Sequence, residues 1–405
     1  MAEAARRTLY RPMTSRSPDE PHRAATPLEL FFDLCFVVAV AQAAAGLHHA
    51  VTEAHLGQGV LGFLMVFFAI WWAWMNFSWF ASAYDNDDVA YRLTTMVQIA
   101  GALVLAAGVP RAFEHGDYRL ITLGYVVMRL AMVTQWLRVA RQDPPRRVTA
   151  LRFAAGITLV QVGWVVRLLL PAPWDFRFFF VLVACELLVP LWAERTAPTR
   201  WHPHHIAERY SLFTLIVLGE SVLAATLAVE SALETGQLAP LVWLAAAGLV
   251  IVFGMWWLYF ERPAHDLLTS FRAAFRWGYG HYFILAAAAA VGAGLAAAAD
   301  FHSHTSHVSG VTAAYAVAVP VAVYLVSLFL LQICPHYRGL VVYAFPVVVV
   351  LVLLAPLGPA PIQVIALLTA ALTTLVVVVG RLPAANPRLS AAHPRPDATG
   401  SPPTR

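Results

Sequence analysis

The sequence predicts an all-α polytopic integral membrane protein of about twelve transmembrane helices, arranged as two parallel six-helix repeats. Three observations carry that expectation. The 405-residue chain is 60% hydrophobic and 12% charged, with a mean hydropathy of +0.66, whereas a soluble domain carries about 25% charged residues. Uncharged runs such as Val60–Ala81 reach the roughly 20 residues that a helix needs to cross a ~30 Å hydrocarbon layer. Arginine, the only basic residue besides histidine, is concentrated in alternate loops, as it is when those loops stay in the cytoplasm.

Apolar runs read against breakers place the spans in order. Residues 1–25 hold Arg6, Arg7, Arg11, Arg16 and Arg23 and no apolar core of a signal peptide, so they are expected to be a disordered cytoplasmic tail. The first membrane half, 26–195, opens with a span at 28–48 that starts in Thr26-Pro27-Leu28-Glu29 and continues through Asp33. An arginine-free outer loop leads to 59–81, which ends in Trp71-Trp72-Ala73-Trp74. Arg92 marks the return to the inside, followed by 92–110, an outer loop at 111–119 and 118–139, which holds Arg129. Arg141, Arg146 and Arg147 form the next inner loop before 150–170, and 175–193 carries Glu186 ahead of Pro190.

A basic, His-rich linker at 196–207 divides the chain. The second half, 208–381, begins with 208–229, whose opening Glu208-Arg209-Tyr210 leads to Glu220, and continues with 239–260, ending in Trp256-Trp257. Arg262 and Arg272 precede 277–299, which contains His281. Spans at 309–332, 339–357 and 361–380 complete the set, with Arg338 inside and no arginine in the loops at 230–238, 300–308 and 358–360. Residues 382–405 are rich in Pro and polar residues and are expected to be a second disordered cytoplasmic tail. The parallel-repeat expectation rests on the even number of spans per half. It also rests on a glutamate at each half's entrance, Glu29 and Glu208, and on the tryptophan pairs closing spans two and eight.

Among the polar residues, Glu29 fits a capping box, with Thr26 as N-cap and Pro27 at the first helical position. Asp33 lies one turn further in on nearly the same face, since four residues turn a helix by ~400°, and sits roughly 10 Å beyond the cap. An Asp at mid-span costs ~2.5–3.5 kcal/mol, so it needs either an arginine of a neighbouring span or a water-filled cavity. Glu220 and Glu186 lie too deep for capping. With Arg129 they form either a braced internal network or a relay for protons or cations, in which one acid stays unpaired. Arg167 lies nearer the outer end. His281 is either hydrogen-bonded packing or a titrating gate.

The remaining features weigh little. Cys35, Cys185 and Cys334 are scattered packing residues with no disulfide or metal spacing. The outer histidines His48, His49, His55, His302, His304 and His307 and the inner His202, His204 and His205 lack thiolates or tight spacing, so no metal site is assigned. No phosphate loop or hydrolase motif is present. No cofactor, enzymatic reaction or nucleic-acid partner is expected.

Two resemblances bear on this reading. Glu29-Leu-Phe-Phe-Asp33-Leu together with Glu208-Arg-Tyr-Ser-Leu-Phe-Thr-Leu-Ile-Val-Leu-Gly219-Glu220 resembles the two characteristic segments of the bacterial low temperature requirement A family. A ninth-span histidine such as His281 also looks typical of it. The likeness runs over 24–381, with Cys35 and Ser211 as departures. It implies the twelve-span architecture and points to Glu29, Asp33, Glu208, Glu220 and His281, and it implies no substrate. Phe32-Asp33 followed by Phe36-Val-Val-Ala-Val is similar to the first helix of potassium channels built from six-helix repeats, although the seventh span has no matching aspartate. The leading expectation is a cytoplasmic-membrane transporter of a small solute or ion, coupled to protons or cations through Asp33, Glu220, Glu186, Arg129 and His281. A passive cation channel and a non-transporting stress or sensor protein are the alternatives. The bilayer is the one definite partner.

Overall fold

A chain that buries its backbone in lipid has to satisfy every amide within itself, and helices do so. The computed structural model describes residues 11–17, 20, 23–235 and 238–381, apart from the side chains of 224–225, 227–235, 238–239 and 381. Among the described residues there is no strand, and the long helices number twelve: α1 (Pro27–Thr52), α2 (Leu56–Tyr84), α3 (Val89–His115), α4 (Arg119–Gln142), α5 (Arg147–Arg167), α6 (Trp174–Ala193), α7 (Pro203–Thr235), α8 (Leu238–Phe260), α9 (Phe271–His302), α10 (Gly310–Leu328), α11 (Leu340–Leu354) and α12 (Pro361–Arg381). Eleven helical segments among the described residues are long and apolar enough to cross a bilayer. The protein is a multi-pass membrane protein. The expectations for 1–10 and 382–405 lie outside the described residues.

The ends of several helices differ from the predicted spans for one reason. Backbone hydrogen bonding does not stop where hydrocarbon stops, so a helix runs on until a cap ends it. Thus α9 starts at its N-cap Ser270, whose side chain accepts from Ala273 N, and includes the polar Arg272 and Arg276. Likewise α7 starts at Pro203, with His202 Nδ1 accepting from His205 N at 3.3 Å. Glu208 therefore stands in the second turn of α7 and not at its entrance.

Part of the expected N-terminal tail is tied down. Met13 is fully buried and its amide donates to Gln142 Oε1 at 2.7 Å. Arg16 N bonds to Ala83 O at 3.0 Å, and the Arg23 guanidinium caps the last carbonyls of α2 at Ala81 and Ser82. Arg23, one of the arginines that marked this segment as a tail, instead neutralises the end of a helix, and Arg16 pairs with Glu20 at 2.6 Å.

Helices α1 and α9 form the centre. α1 packs on α2, α3, α7 and α9, and α9 packs on α1, α7, α8 and α10. With no water to expel between helices, close approach depends on small residues. α9 supplies them in Ala286–Ala290 and Gly294, all buried. A Cβ built on Gly294 would stand 2.1 Å from Ala316 O of α10. Gly124 does the same between α3 and α4, where its Cβ would lie 2.4 Å from Gly101 O. The tryptophan pairs do not match: Trp71 and Trp72 are buried at 2% and 0% exposure, whereas Trp256 and Trp257 are each 42% exposed. Cys185 is also exposed, and all three cysteines are free.

Gly294→Val should push α10 away from α9, because the obstructing atom is backbone oxygen and has no rotamer to yield. Overpacking of this kind costs about 1–3 kcal/mol or more. The expected result is a lower thermal midpoint in detergent, while Gly57→Val, with open space around it, leaves the midpoint in place.

Candidate functional site

The acids predicted on α1 meet bases that share their spacing. Glu29 and Asp33 lie one turn apart on α1, and His205 and Arg209 lie one turn apart on α7. All four side chains are fully buried. The capping box forms as expected: Glu29 Oε2 accepts from Thr26 N at 2.7 Å and Glu29 N donates to Thr26 Oγ1 at 3.3 Å. The same carboxylate also reaches His205, whose Nε2 stands 3.1 Å from Oε1 and 3.3 Å from Oε2. An ionised carboxylate only accepts, so the proton sits on Nε2.

Asp33 Oδ1 accepts from Arg209 Nη2 at 2.6 Å and from Trp74 Nε1 of α2 at 2.6 Å. Arg209 Nη2 also donates to Ser78 Oγ at 3.2 Å, and the guanidinium lies 5.8 Å from the centre of the Phe77 ring. Tight as this is, it is incomplete. Among the described residues, Asp33 Oδ2, His205 Nδ1 and the Nε and Nη1 atoms of Arg209 are buried without a hydrogen-bond partner. Within electrostatic reach of Glu29 lie Asp85, Arg23 and Tyr91, where Asp85 Oδ2, Arg23 Nε and Tyr91 Oη are likewise unpartnered. Asp85 follows the last residue of α2. Burial, and after it the negative charge of Glu29, push its carboxyl up to about 6.

A second, separate cluster surrounds Glu186. Its carboxylate accepts from Trp72 Nε1 at 2.8 Å, Tyr125 Oη at 2.8 Å, Arg129 Nη2 at 2.9 Å, Gln161 Nε2 at 3.2 Å and Trp164 Nε1 at 3.3 Å. Five donors from α2, α4 and α5 thus converge on one acid of α6, paired one-to-one with a buried arginine. Of the two readings of Arg129 and Glu186, this pairing matches the contacts expected of a brace.

The other predicted residues stand apart. Glu220 is half-buried, and among the described residues it has no hydrogen-bond or ion partner. His281 Nδ1 lies 2.7 Å from Trp277 O, which can only accept, so Nε2 accepts from Tyr259 Oη at 3.1 Å. It is a satisfied histidine within a stack of aromatic rings. Glu208 Oε2 accepts from Ala25 N at 3.2 Å, bridging the start of α1 to α7. Arg167 Nε donates to Asp175 O at 2.9 Å near the opposite end of the bundle. His48 pairs with Asp300 at 2.7 Å, and among the described residues no three His, Cys, Asp or Glu side chains converge as a metal site would require.

Sequence reading passed over Arg209 and His205. The signal was present: His205 and Arg209 repeat the four-residue interval of Glu29 and Asp33 with opposite charge. It was hidden because α7 was started at Glu208, which left His205 in a loop.

The chain matches the family described as bacterial low temperature requirement A protein over residues 24–380. It is 29% identical over 255 residues to an uncharacterized protein of Rhizobium meliloti (strain 1021), a match covering 58% of this chain and 57% of that protein. The chain thus spans little more than half the length of that curated relative. No solved structure matches.

Two measurements probe these charges. Removing one partner of a buried ion pair costs about 3–5 kcal/mol, so Arg209→Met should sharply lower the thermal midpoint, and adding Asp33→Asn to it should recover part of the loss. Asp85 titrates higher in the fold than its ordinary value of 3.8, so its ionisation opposes folding as pH rises from about 4 to 6. Asp85→Asn should match wild type in stability near pH 4, gain on it up to about pH 6 and keep a constant lead above that, as read from unfolding midpoints across the range.

Proposed function

The chain belongs to the bacterial low temperature requirement A family, and we propose that this multi-pass membrane protein is a proton-coupled transporter of a small solute whose proton is carried by the Glu29–Asp33–His205–Arg209 cluster. The observation that carries this reading is uncompensated charge beside a titratable group. Two buried carboxylates face one guanidinium, and the difference of one remains when Asp85 and Arg23 are added. Taking up a single proton, at His205 or at a carboxylate, makes the cluster neutral. The Glu186–Arg129 pair lacks this property, being balanced in charge with five donors on its carboxylate, and is assigned as a brace.

Position supports the same reading. α1 and α2 belong to the first half of the chain and α7 to the second, so protonation changes the attraction across the seam between halves. A change of one charge at a buried contact of 2.6 Å shifts that attraction far more than it would in water. The unpartnered atoms of Asp33, His205, Arg209, Asp85 and Tyr91 are the groups that would hold a proton and its water in transit. The halves are proposed to be parallel copies: α1 packs on α2 and α3 and α3 on α4, just as α7 packs on α8 and α9 and α9 on α10. By the arginine distribution, both termini and the charge cluster lie on the cytoplasmic side. Glu220, deeper in α7 and without an ion-pair partner among the described residues, is a candidate for the second stop of the proton.

The test is proton flux into liposomes holding a pH-sensitive dye, driven by an imposed potassium diffusion potential. Wild type should acidify the lumen faster than protein-free vesicles, with the rate reduced at least about tenfold by His205→Gln and by Asp33→Asn. Wild-type potassium flux without proton flux would favour the channel reading. Well-folded variants with unaltered proton flux would end the assignment to this cluster.

A further inference from the structure

A narrow cavity of ≈ 50 Å³ opens between the first half and α9, at the arginine-rich end of the bundle and apart from the charge cluster. Eight of its fourteen lining residues are aromatic, among them Trp79, Trp136, Trp201, Phe275 and Tyr279, and none is basic. One lining residue is charged: Glu194, which follows the last turn of α6. The residue is 7% exposed, and its carboxylate is fixed by Thr199, whose amide and hydroxyl donate at 2.6 Å and 2.7 Å. No arginine or histidine lies within ion-pair distance of it among the described residues. Arg146, the basic group that acts on it electrostatically, spends its guanidinium on Asp143 Oδ2 at 3.1 Å and Pro198 O at 3.3 Å.

We infer that this cavity binds an organic cation, a quaternary ammonium headgroup in chemical class, with the aromatic faces around the methyl groups and Glu194 as counterion. Rings attract such a cation through their negative faces, by ~0.5–2 kcal/mol each according to desolvation. A buried carboxylate hydrogen-bonded by Thr199 but without an ion-pair partner among the described residues supplies the charge that an apolar pocket lacks. The volume excludes bulky ligands and suits one small headgroup. Burial raises Glu194 to about 7, so the counterion forms as pH rises through neutrality. The groups acting on it are Thr199, whose two hydrogen bonds hold it lower than burial alone would, and Arg146 of the α4–α5 turn, and the Tyr84 phenol of α2 lies within electrostatic reach. The inference does not rest on proton coupling, because binding at equilibrium is read without flux.

The test uses the full chain in nanodiscs of phosphatidylglycerol, titrated with choline and, separately, with its neutral isostere 3,3-dimethylbutan-1-ol. The readouts are calorimetry and tryptophan fluorescence, to which Trp79, Trp136 and Trp201 contribute. Choline should bind saturably and at least about tenfold more tightly than the isostere, with affinity rising between pH 5.5 and 8.5. Glu194→Gln should weaken binding and flatten that pH dependence, and Trp136→Leu should weaken binding while keeping the pH dependence. Phosphatidylcholine placed in the disc separates two sources of the same chemistry: competition identifies a lipid headgroup, and its absence a free solute. Equal binding of the isostere, no saturable binding by wild type, or unchanged affinity and pH dependence in Glu194→Gln would overturn the inference.

Discussion

The rest of the structure depends on the burial of acids where lipid offers no water. Asp33 on α1 is closed off from solvent, and an unpaired carboxylate there would be driven to neutralise or to pull the helix outward. Arg209 on α7 meets it instead, so helices nearly two hundred residues apart in the chain are held at one contact. The placement of α1, α2 and α7 follows from it: Trp74 and Ser78 of α2 complete the hydrogen bonds, and Glu29 recruits His205 one turn away. A capping box that would suffice for an isolated helix is here also half of an inter-helix ion site.

The two buried charge clusters show how similar residues serve different ends. Glu186 receives five donors and one arginine, so its charge is spread and fixed, and the helices that supply the donors are locked around α6. The cluster at Glu29 and Asp33 instead has more negative than positive charge. Buried polar atoms without a hydrogen-bond partner among the described residues occur in both clusters, Arg129 Nε and Nη1 and Gln161 Oε1 beside Glu186 included. The difference therefore lies in charge: a balanced pair gains little from a proton, whereas a cluster with one excess negative charge gains much. That contrast, and not burial alone, separates the brace from the proposed coupling site. It also explains why acids that look equivalent in sequence have unequal claims to function.

Helix contacts elsewhere are governed by size. Gly294 against Ala316 and Gly124 against Gly101 set close backbone approaches, while aromatic rings from α7, α8 and α9 fill the gaps around His281. Where rings line a gap without filling it, as between the first half and α9, the single carboxylate of Glu194 is the feature that gives the space a chemical preference.

Sequence by itself determined the solvent, the helical class, the approximate spans and the capping at Thr26, because each follows from local composition and from the length of a bilayer. It also singled out Asp33 and Glu186 as residues requiring partners, since the desolvation penalty belongs to a residue and its depth alone. Only the tertiary structure decided who those partners are. Arg209 was one arginine among many at the mouth of a span, and His205 one of a cluster in an apparent loop, until α7 extended back to Pro203. Trp71 and Trp256 read alike as members of tryptophan pairs, yet one faces neighbouring helices and the other is exposed. Pairing, exposure and net balance of charge arise between helices distant in the chain, and no local pattern encodes them.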